Sequence, residues 1–385
     1  MTEPATVNQL FFSAVDRFST KRAALRHKAG GTWHDTTHQQ FAQRVRHTAM
    51  GLWELGVRPG DRVAILAGNR PEWAMADFGC LTARCPDVAI YPTLPARQVA
   101  YILKDCGASA VFVADPEQYA KVAEYRAELP DLQHVILFEG ENVEGPGLIS
   151  VQELLQRGAA GEIRYPTYRD DALAMSPDEL ATLIYTSGTT GDPKGVMLTH
   201  GNFASNVVSA LTVVRVSAND ACLSLLPLSH AFERMGGFFV MFYGGVTINY
   251  AESMDAVAAN MLEVKPTVVL AVPRLYEKIY QRVLDTAMHG GAVKRRVFFW
   301  AKKVGERWAD LVLAKQPIPA LLNARMGLAN RLVFSKLRAR TGGRIRFFVS
   351  GGAPLAADIA RFFYAAGLPI LEGYGLTETS PVLTL

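Results

Sequence analysis

The sequence predicts an α/β protein made of two packed α/β lobes, with mostly parallel sheets flanked by helices. Three observations predict it. Short apolar runs that end in Gly, Asn or Asp alternate with stretches of helical spacing, the signature of βαβ units. At 385 residues the chain exceeds one ordinary core, so two lobes fit, each able to bury most of its apolar surface. A composition of 49% hydrophobic and 20% charged residues, with 32 Gly and 20 Pro, is that of a globular enzyme rather than a disordered or fibrous chain.

The strand-like runs of the first lobe are RVAILAGN (62–69), SAVFVAD (109–115) and HVILFEG (134–140). Between the first two, RPEWAMADFGCLTARC spaces its apolar residues as a helix does. The polar, Pro-containing connection RYPTYRDDALAMSPDEL (164–180) marks a boundary near residue 175, giving lobes 1–175 and 176–385. The second lobe repeats the alternation with ACLSLLPL (221–228), TVVLAVP (267–273) and RIRFFVSGG (344–352).

A formal net charge of +4 without a long basic run argues against nucleic acid and suits an anionic small molecule. Cys80, Cys85, Cys106 and Cys222 lack paired spacing and a His cluster, so buried reduced thiols fit better than a zinc site. The first residues lack the basic start and apolar core of a signal peptide, and no stretch reaches the roughly 18 apolar residues of a membrane span. The expectation is a cytoplasmic protein, at most peripheral to a membrane. The segment from Val293 to Leu313 could supply such a contact: Val297, Trp300, Val304, Trp308 and Leu311 share one helical face, and Lys294, Lys302, Lys303 and Arg307 lie largely elsewhere. An ordinary surface helix packed on a core explains it equally well.

The segment LIYTSGTTGDPKGVMLTH (183–200) sets a Gly-rich loop between two strand-like runs, with a helix starting only near Asn202. Gly188, Gly191 and Gly195 keep side chains away from a ligand, while Thr186, Ser187, Thr189 and Thr190 add hydroxyls and Lys194 a compact cation. Such an array suits phosphate oxygens. The ordinary P-loop pattern fails, because its second Gly position holds Pro193 and Lys194 is followed by Gly195.

TSGTTGDPKG resembles the phosphate-binding signature of the adenylate-forming superfamily, which includes acyl-CoA synthetases, luciferases and peptide-synthetase adenylation domains. LPLSHAFER (226–234), SGGAPL (350–355) and EGYGLTETSP (372–381) resemble further segments of that superfamily, in its order, and LGVRPGDRVAILAGNRPEW matches its opening. The resemblance implies attack of a carboxylate on the α-phosphorus of ATP, giving acyl-AMP and pyrophosphate, followed by thiol attack from CoA. It further implies that Thr186, Ser187, Gly188, Thr189, Thr190, Gly191 and Lys194 hold the β- and γ-phosphates. Glu378 would hold Mg²⁺ and Thr377 would hydrogen-bond the α-phosphate. Gly352, Ala353 and Pro354 would wall the adenine, and Glu372, Gly373, Tyr374 and Gly375 would meet it, with Tyr374 stacking. His230 would sit near the substrate carboxylate or thiol channel, although a lone His is more often a hydrogen-bonded core residue. Glu233 and Arg234 could pair with each other. Gly236, Gly237 and Phe238 would border the acyl pocket.

The long interval between AVPRLYEKIY (271–280) and FFVSGGAPL (347–355), holding the basic helix and LLNARMGLANRLVFSKLRART, resembles long-chain fatty acyl-CoA synthetases. The expected partners are therefore a fatty acid, ATP and CoA, with membrane contact and a homodimer left open. The chain stops at Leu385, soon after the last motif. The superfamily's ribose-binding Asp, hinge and smaller C-terminal domain with its Lys would follow, so the expectation is a fragment that makes acyl-CoA poorly or not at all. Two rivals stand: a fatty acyl-AMP ligase that serves a carrier protein, and a non-catalytic nucleotide or acyl sensor.

Overall fold

In the computed structural model, which describes residues 3–140, 143–186 and 192–385, the apolar runs become short strands. Up to residue 140 these are β1 (Leu25–Ala29), β2 (Thr32–Thr36), β3 (Arg62–Leu66), β4 (Asp87–Ile90), β5 (Ala108–Val113) and β6 (His134–Leu137). There follow β7 (Leu148–Ser150), β8 (Leu180–Thr186), β9 (Lys194–Thr199), β10 (Ala221–Ser224) and β11 (Thr247–Tyr250). The last are β12 (Val268–Ala271), β13 (Phe347–Ser350), β14 (Ile370–Glu372), β15 (Tyr374–Gly375) and β16 (Val382–Thr384). The chain divides into two compact units. One comprises Met1–Asn219, Leu226–Tyr250 and Leu376–Pro381; the other comprises Asp220–Leu225, Ala251–Gly375 and Val382–Leu385.

The first unit contains a sheet in the order β7-β6-β5-β3-β4-β8-β9, parallel except for the antiparallel pair β8–β9. Strands β8 and β9, which follow residue 175, pair into this sheet, with Asp87 opposite Thr182, so the unit continues past that point to Asn219. Its central strands β3, β4 and β5 are buried along nearly their whole length because helices cover the sheet faces. On one side Ala64, Leu66, Ile90, Val111 and Val113 pack with Ile102 and Leu103 of the helix Ala96–Cys106. That helix ends at Gly107, whose φ of 61° is the left-handed cap that glycine adopts without strain. The helix Pro71–Thr82 is buried at every residue except Glu72, which explains its apolar sequence. It lies close to the helix His38–Glu54 because Gly79 has no side chain; a Cβ there would stand 2.5 Å from Thr48 Cγ2. This unit also holds β11, β1 and β2, with β1 parallel to β11 and joined to β2 by a hairpin through Gly30 and Gly31, both at positive φ.

The second unit orders β14-β13-β12-β10 as a parallel sheet. Its longest helix, Gly291–Leu313, packs on the helices Ala320–Ala329 and Ala357–Ala365. The packed face is Phe298, Ala301, Val304, Gly305 and Ala309, while Val297, Trp300, Trp308 and Leu311 are only half-buried. The expected stripe is thus rotated, for a steric reason. A Cβ on Gly305 would meet the Phe334 ring at 2.8 Å and Ala365 Cβ at 2.9 Å, so the small residues mark the closest approach. The four cysteines are buried and unbridged. Among the described residues no helix is long and apolar enough to cross a membrane.

Two buried histidines tie stability of the first unit to pH. His38 packs between Phe18 and Phe242, and neither ring nitrogen has a hydrogen-bond partner. Burial pushes its pKa down to about 4, with Lys21 adding to the effect. Burial likewise pushes His200 down to about 4, against the pull of Glu179. Each ring stays neutral in the folded chain while the unfolded chain protonates, so this stability is complete above pH 6.5 and is lost as pH falls toward 4. For His38→Phe, urea midpoints should fall less between pH 7.5 and 4.5 than for the parent, by about 2 kcal/mol of unfolding free energy. Equal losses in both proteins count against this origin.

Candidate active site

Strands β8 and β9 hold the ends of the Gly-rich loop. Tyr185 stands opposite Gly195 and Thr186 opposite Lys194. The Tyr185 ring lies over Gly195, where a Cβ would come within 3.1 Å of it, and its hydroxyl donates to Asp105 at 2.5 Å. This third glycine therefore makes room for a tyrosine that ties the hairpin to the helix Ala96–Cys106. Thr186 is half-buried, and Lys194 is exposed with no ion pair among the described residues. Ser187, Gly188, Thr189, Thr190 and Gly191 lie outside the described residues. After β9 the chain enters the helix His200–Val213 through a capping box between Thr199 and Asn202.

The turn Thr377–Thr379 lies against β9. Its fold is set by Thr379, whose hydroxyl bonds the carbonyls of Leu376 and Pro381 at 2.9 and 2.6 Å. Glu378 projects to solvent from this turn with no hydrogen bond or ion pair among the described residues. An exposed, hard carboxylate on a turn that packs against β9 has the donor chemistry that Mg²⁺ takes. Thr377 is half-buried beside it.

The segment 226–240 is fixed from below by residues the sequence left without roles. The Asn69 amide donates to Leu226 O at 2.6 Å and accepts from Leu228 N–H at 2.8 Å, clamping the turn that precedes His230. The backbone N–H of Phe232 donates to His230 Nδ1 at 3.1 Å, which places the ring proton on Nε2. Loss of solvent among neighbouring protein lowers the His230 pKa, although the residue remains exposed at its edge. The ring is therefore a neutral Nε2–H donor at pH 7.

Arg234 does not pair with Glu233. It is fully buried, and its guanidinium donates to Asp77, Asp87 and the Thr182 hydroxyl, the last at 2.7 Å. Thr182 in turn donates to Asp87 at 2.8 Å. Burial alone would depress the Arg234 pKa, but the two carboxylates outweigh it and hold it above the usual value. Burial raises the Asp77 carboxyl well above its ordinary range despite Arg234, with Asp87 adding to the rise. The segment Glu233–Val240 forms wide π-helical turns. There the space beside Gly237 is taken by the Glu233 carboxyl, which a Cβ would meet at 2.4 Å, rather than left for an alkyl chain. Phe238 is fully buried in an aromatic stack with Phe78 and Phe239, and Gly236 is buried with it.

In the second unit, Gly352, Ala353 and Pro354 follow the carboxyl end of β13 as an exposed loop, with Gly352 at a φ of +83°. Glu372 ends the neighbouring strand β14, opposite Ser350, and Gly373 N–H donates to Ser350 O at 2.7 Å. Tyr374, 61% exposed, and Gly375 form β15, which pairs with β16. The carboxyl ends of parallel strands are where open α/β sheets bind ligands.

The two parallel sheets flanked by helices and the order of the motifs define the N-terminal domain of an adenylate-forming enzyme. The chain belongs to the AMP-binding enzyme family, whose model matches residues 11–385. It is 37% identical over 354 residues to the long-chain-fatty-acid–CoA ligase FadD15 of Mycobacterium bovis, covering 91% of this chain and 57% of that protein. It is 34% identical to the long-chain-fatty-acid–CoA ligase ACSBG2 of Xenopus laevis, covering 98% of this chain and 51% of that protein. The chain thus spans little more than half the length of these relatives. Among solved structures, a long-chain-fatty-acid-CoA ligase (FadD1) from Archaeoglobus fulgidus superposes with a TM-score of 0.72 at 18% identity, over 100% of this chain and 66% of that one. The N-terminal domain of FACL13 from Mycobacterium tuberculosis gives 0.69 at 20% identity, over 98% and 79%.

Arg234→Met strands two carboxyl groups in the core and should cost about 3–5 kcal/mol of unfolding free energy. Asn69→Ala removes two hydrogen bonds and should cost about 1–3 kcal/mol. Urea denaturation measures both; equal losses would contradict the ranking.

Proposed function

We propose that the protein to which this chain belongs activates a long-chain fatty acid with ATP, forming acyl-AMP and pyrophosphate, and then transfers the acyl group to CoA with release of AMP. The reading is carried by the turn Thr377–Thr379, which lies against β9: it holds the exposed carboxylate of Glu378, and β9 begins at the exposed cation Lys194, neither side chain having a partner among the described residues. Supporting it are the relatives named as long-chain-fatty-acid–CoA ligases.

A fatty acid with a pKa of about 4 to 5 is already ionised at pH 7, so its attack on the α-phosphorus needs no general base. What it needs is control of like charges. In the first unit Thr186 and Lys194, with Ser187, Gly188, Thr189, Thr190 and Gly191, hold the β- and γ-phosphates that leave as pyrophosphate. Thr377 donates to the α-phosphate, and Glu378 would hold Mg²⁺, which when bound would neutralise phosphate charge. His230 presents Nε2–H toward the acyl carboxylate. In the second unit Gly352–Pro354 and Glu372–Gly375 offer the adenine a flat, small-residue surface with the Tyr374 ring beside it. Peripheral membrane contact draws support from Val293, Phe299 and Leu313, which stay exposed on a basic helix.

A fatty acyl-AMP ligase serving a carrier protein is the second reading; the same motifs favour it, and only the acceptor differs. Pyrophosphate exchange driven by a panel of acids on the full-length protein tests the first half-reaction, and acid-dependent CoA consumption tests the second. Lys194→Ala should lower exchange about 100-fold, the cost typical of one lost transition-state donor. Glu378→Gln should raise the Mg²⁺ concentration needed for half-maximal exchange. Absence of acid-dependent exchange in the parent overturns the enzyme reading, and exchange without CoA consumption favours the carrier protein.

A further inference from the structure

The second unit carries two adjoining hollows lined by none of the residues assigned above to ATP, Mg²⁺ or the acyl group. One of about 300 Å³ lies among the helices Pro273–Met288, Gly291–Leu313 and Ser335–Arg340, and one of about 330 Å³ lies between the first of these, the last and the helix Val257–Val264. Val283, Leu337 and Arg340 line both, so the two hollows adjoin at these side chains as one trough. Its lining is chiefly aliphatic and aromatic, and Met254, Leu262, Val293 and Leu332 stand exposed at its mouths.

The rim is basic. Lys278, Arg282, Lys294, Lys336 and Arg340 line it against a single carboxylate, Asp255. None of the five forms an ion pair among the described residues. Elsewhere on the same helices cations do find carboxylates, as Arg274 does with Glu277 and Lys302 with Glu306. Five uncompensated cations around an apolar trough raise a positive potential over it. Their alkyl stems extend the apolar wall while the charged heads stay in water. A neutral apolar occupant would cover these charges without answering them, at a desolvation cost. Each hollow is at the lower end of the size of small-molecule sites, wide enough for one alkyl chain.

We propose that this trough binds a monomeric single-chain anionic amphiphile, its chain laid over Val283 and Leu337 and its head group held by Lys336 and Arg340. This goes beyond the adenylation reading, since the ligand is bound and not consumed.

Titration calorimetry of the full-length protein with monododecyl phosphate, below its micelle concentration, tests the proposal. Saturable binding is expected. Monodecyl phosphate, two methylenes shorter, should bind about tenfold more weakly. Raising salt from 0.05 to 0.5 M should weaken binding, because the rim is exposed. The rim pair Lys336→Glu with Arg340→Glu should weaken binding at least tenfold, and Leu337→Trp should abolish it by filling the floor. Lys336 and Arg340 are exposed, so the rim pair decides the matter if Leu337→Trp fails to fold. Three results overturn the proposal: no saturable binding, binding unchanged in the rim pair, or retention only on phosphatidylglycerol-containing vesicles without binding of the monomer. The last would assign the basic face to a bilayer surface.

Discussion

Arg234 is the constraint on which the candidate site in the first unit depends. Its guanidinium is sealed from water and joined to Asp77 on the helix Pro71–Thr82, Asp87 at the start of β4 and Thr182 on β8. The rings of Trp73, Phe203 and Phe239 surround it at 5.4–5.6 Å. Burying three ionisable groups is expensive, and it is tolerated here because every guanidinium edge meets an acceptor or a ring face. With two carboxyls for one cation, the raised Asp77 pKa shows how the excess charge is relieved: a proton is held there more readily than in water. Apolar side chains could fill the same space, but they would not define the relative positions of a helix, two strands and the π-helical segment by directional bonds.

That fixity matters because the chemistry proposed for this family relies on placement rather than on a strong base. Thr182 lies four residues before Thr186, so the buried cluster and the start of the Gly-rich loop share one strand. His230 lies one helical turn before Arg234, with its backbone carbonyl bonded to the Arg234 N–H at 3.0 Å. Among the described residues, the exposed Lys194 and Glu378 have no partner and the buried Arg234 has several. Lys194 and Glu378 keep their charges available to a ligand, while Asp105, Tyr185, Asn69 and Arg234 satisfy one another or the backbone in the layer below.

Much of this was legible in the sequence. The alternation of apolar runs and helical spacing located β3, β5, β6, β10, β12 and β13, because buried parallel strands are continuous apolar words. The hairpin around the Gly-rich loop was legible from its flanks. Strand β4 was not, being four residues between Pro86 and Pro92, nor was the β1–β2 hairpin, whose polar alternation is weak although Gly30–Gly31 was a usable signal. The face of the helix Gly291–Leu313 was misjudged because hydrophobicity rewards large residues, whereas close helix packing selected Ala301, Gly305 and Ala309. Arg234 was set against its neighbour Glu233 because adjacency is visible in a sequence and a partner 157 residues away is not. The nearest hint was chemical: two acids, Asp77 and Asp87, each inside a largely apolar stretch.

The separation of those partners also has a meaning in time. A ribosome adding about 5–20 residues per second needs about 8 to 30 seconds to carry the chain from Asp77 to Arg234, which lie 157 positions apart. For that interval the nascent sheet has its acids without its base. Until the counter-charge arrives, closing the helix Pro71–Thr82 over Asp77 and Asp87 would bury two unpaired carboxylates, at a cost of several kcal/mol per ion. The arginine is thus the last member of the cluster to be made, and the cluster cannot be complete before it.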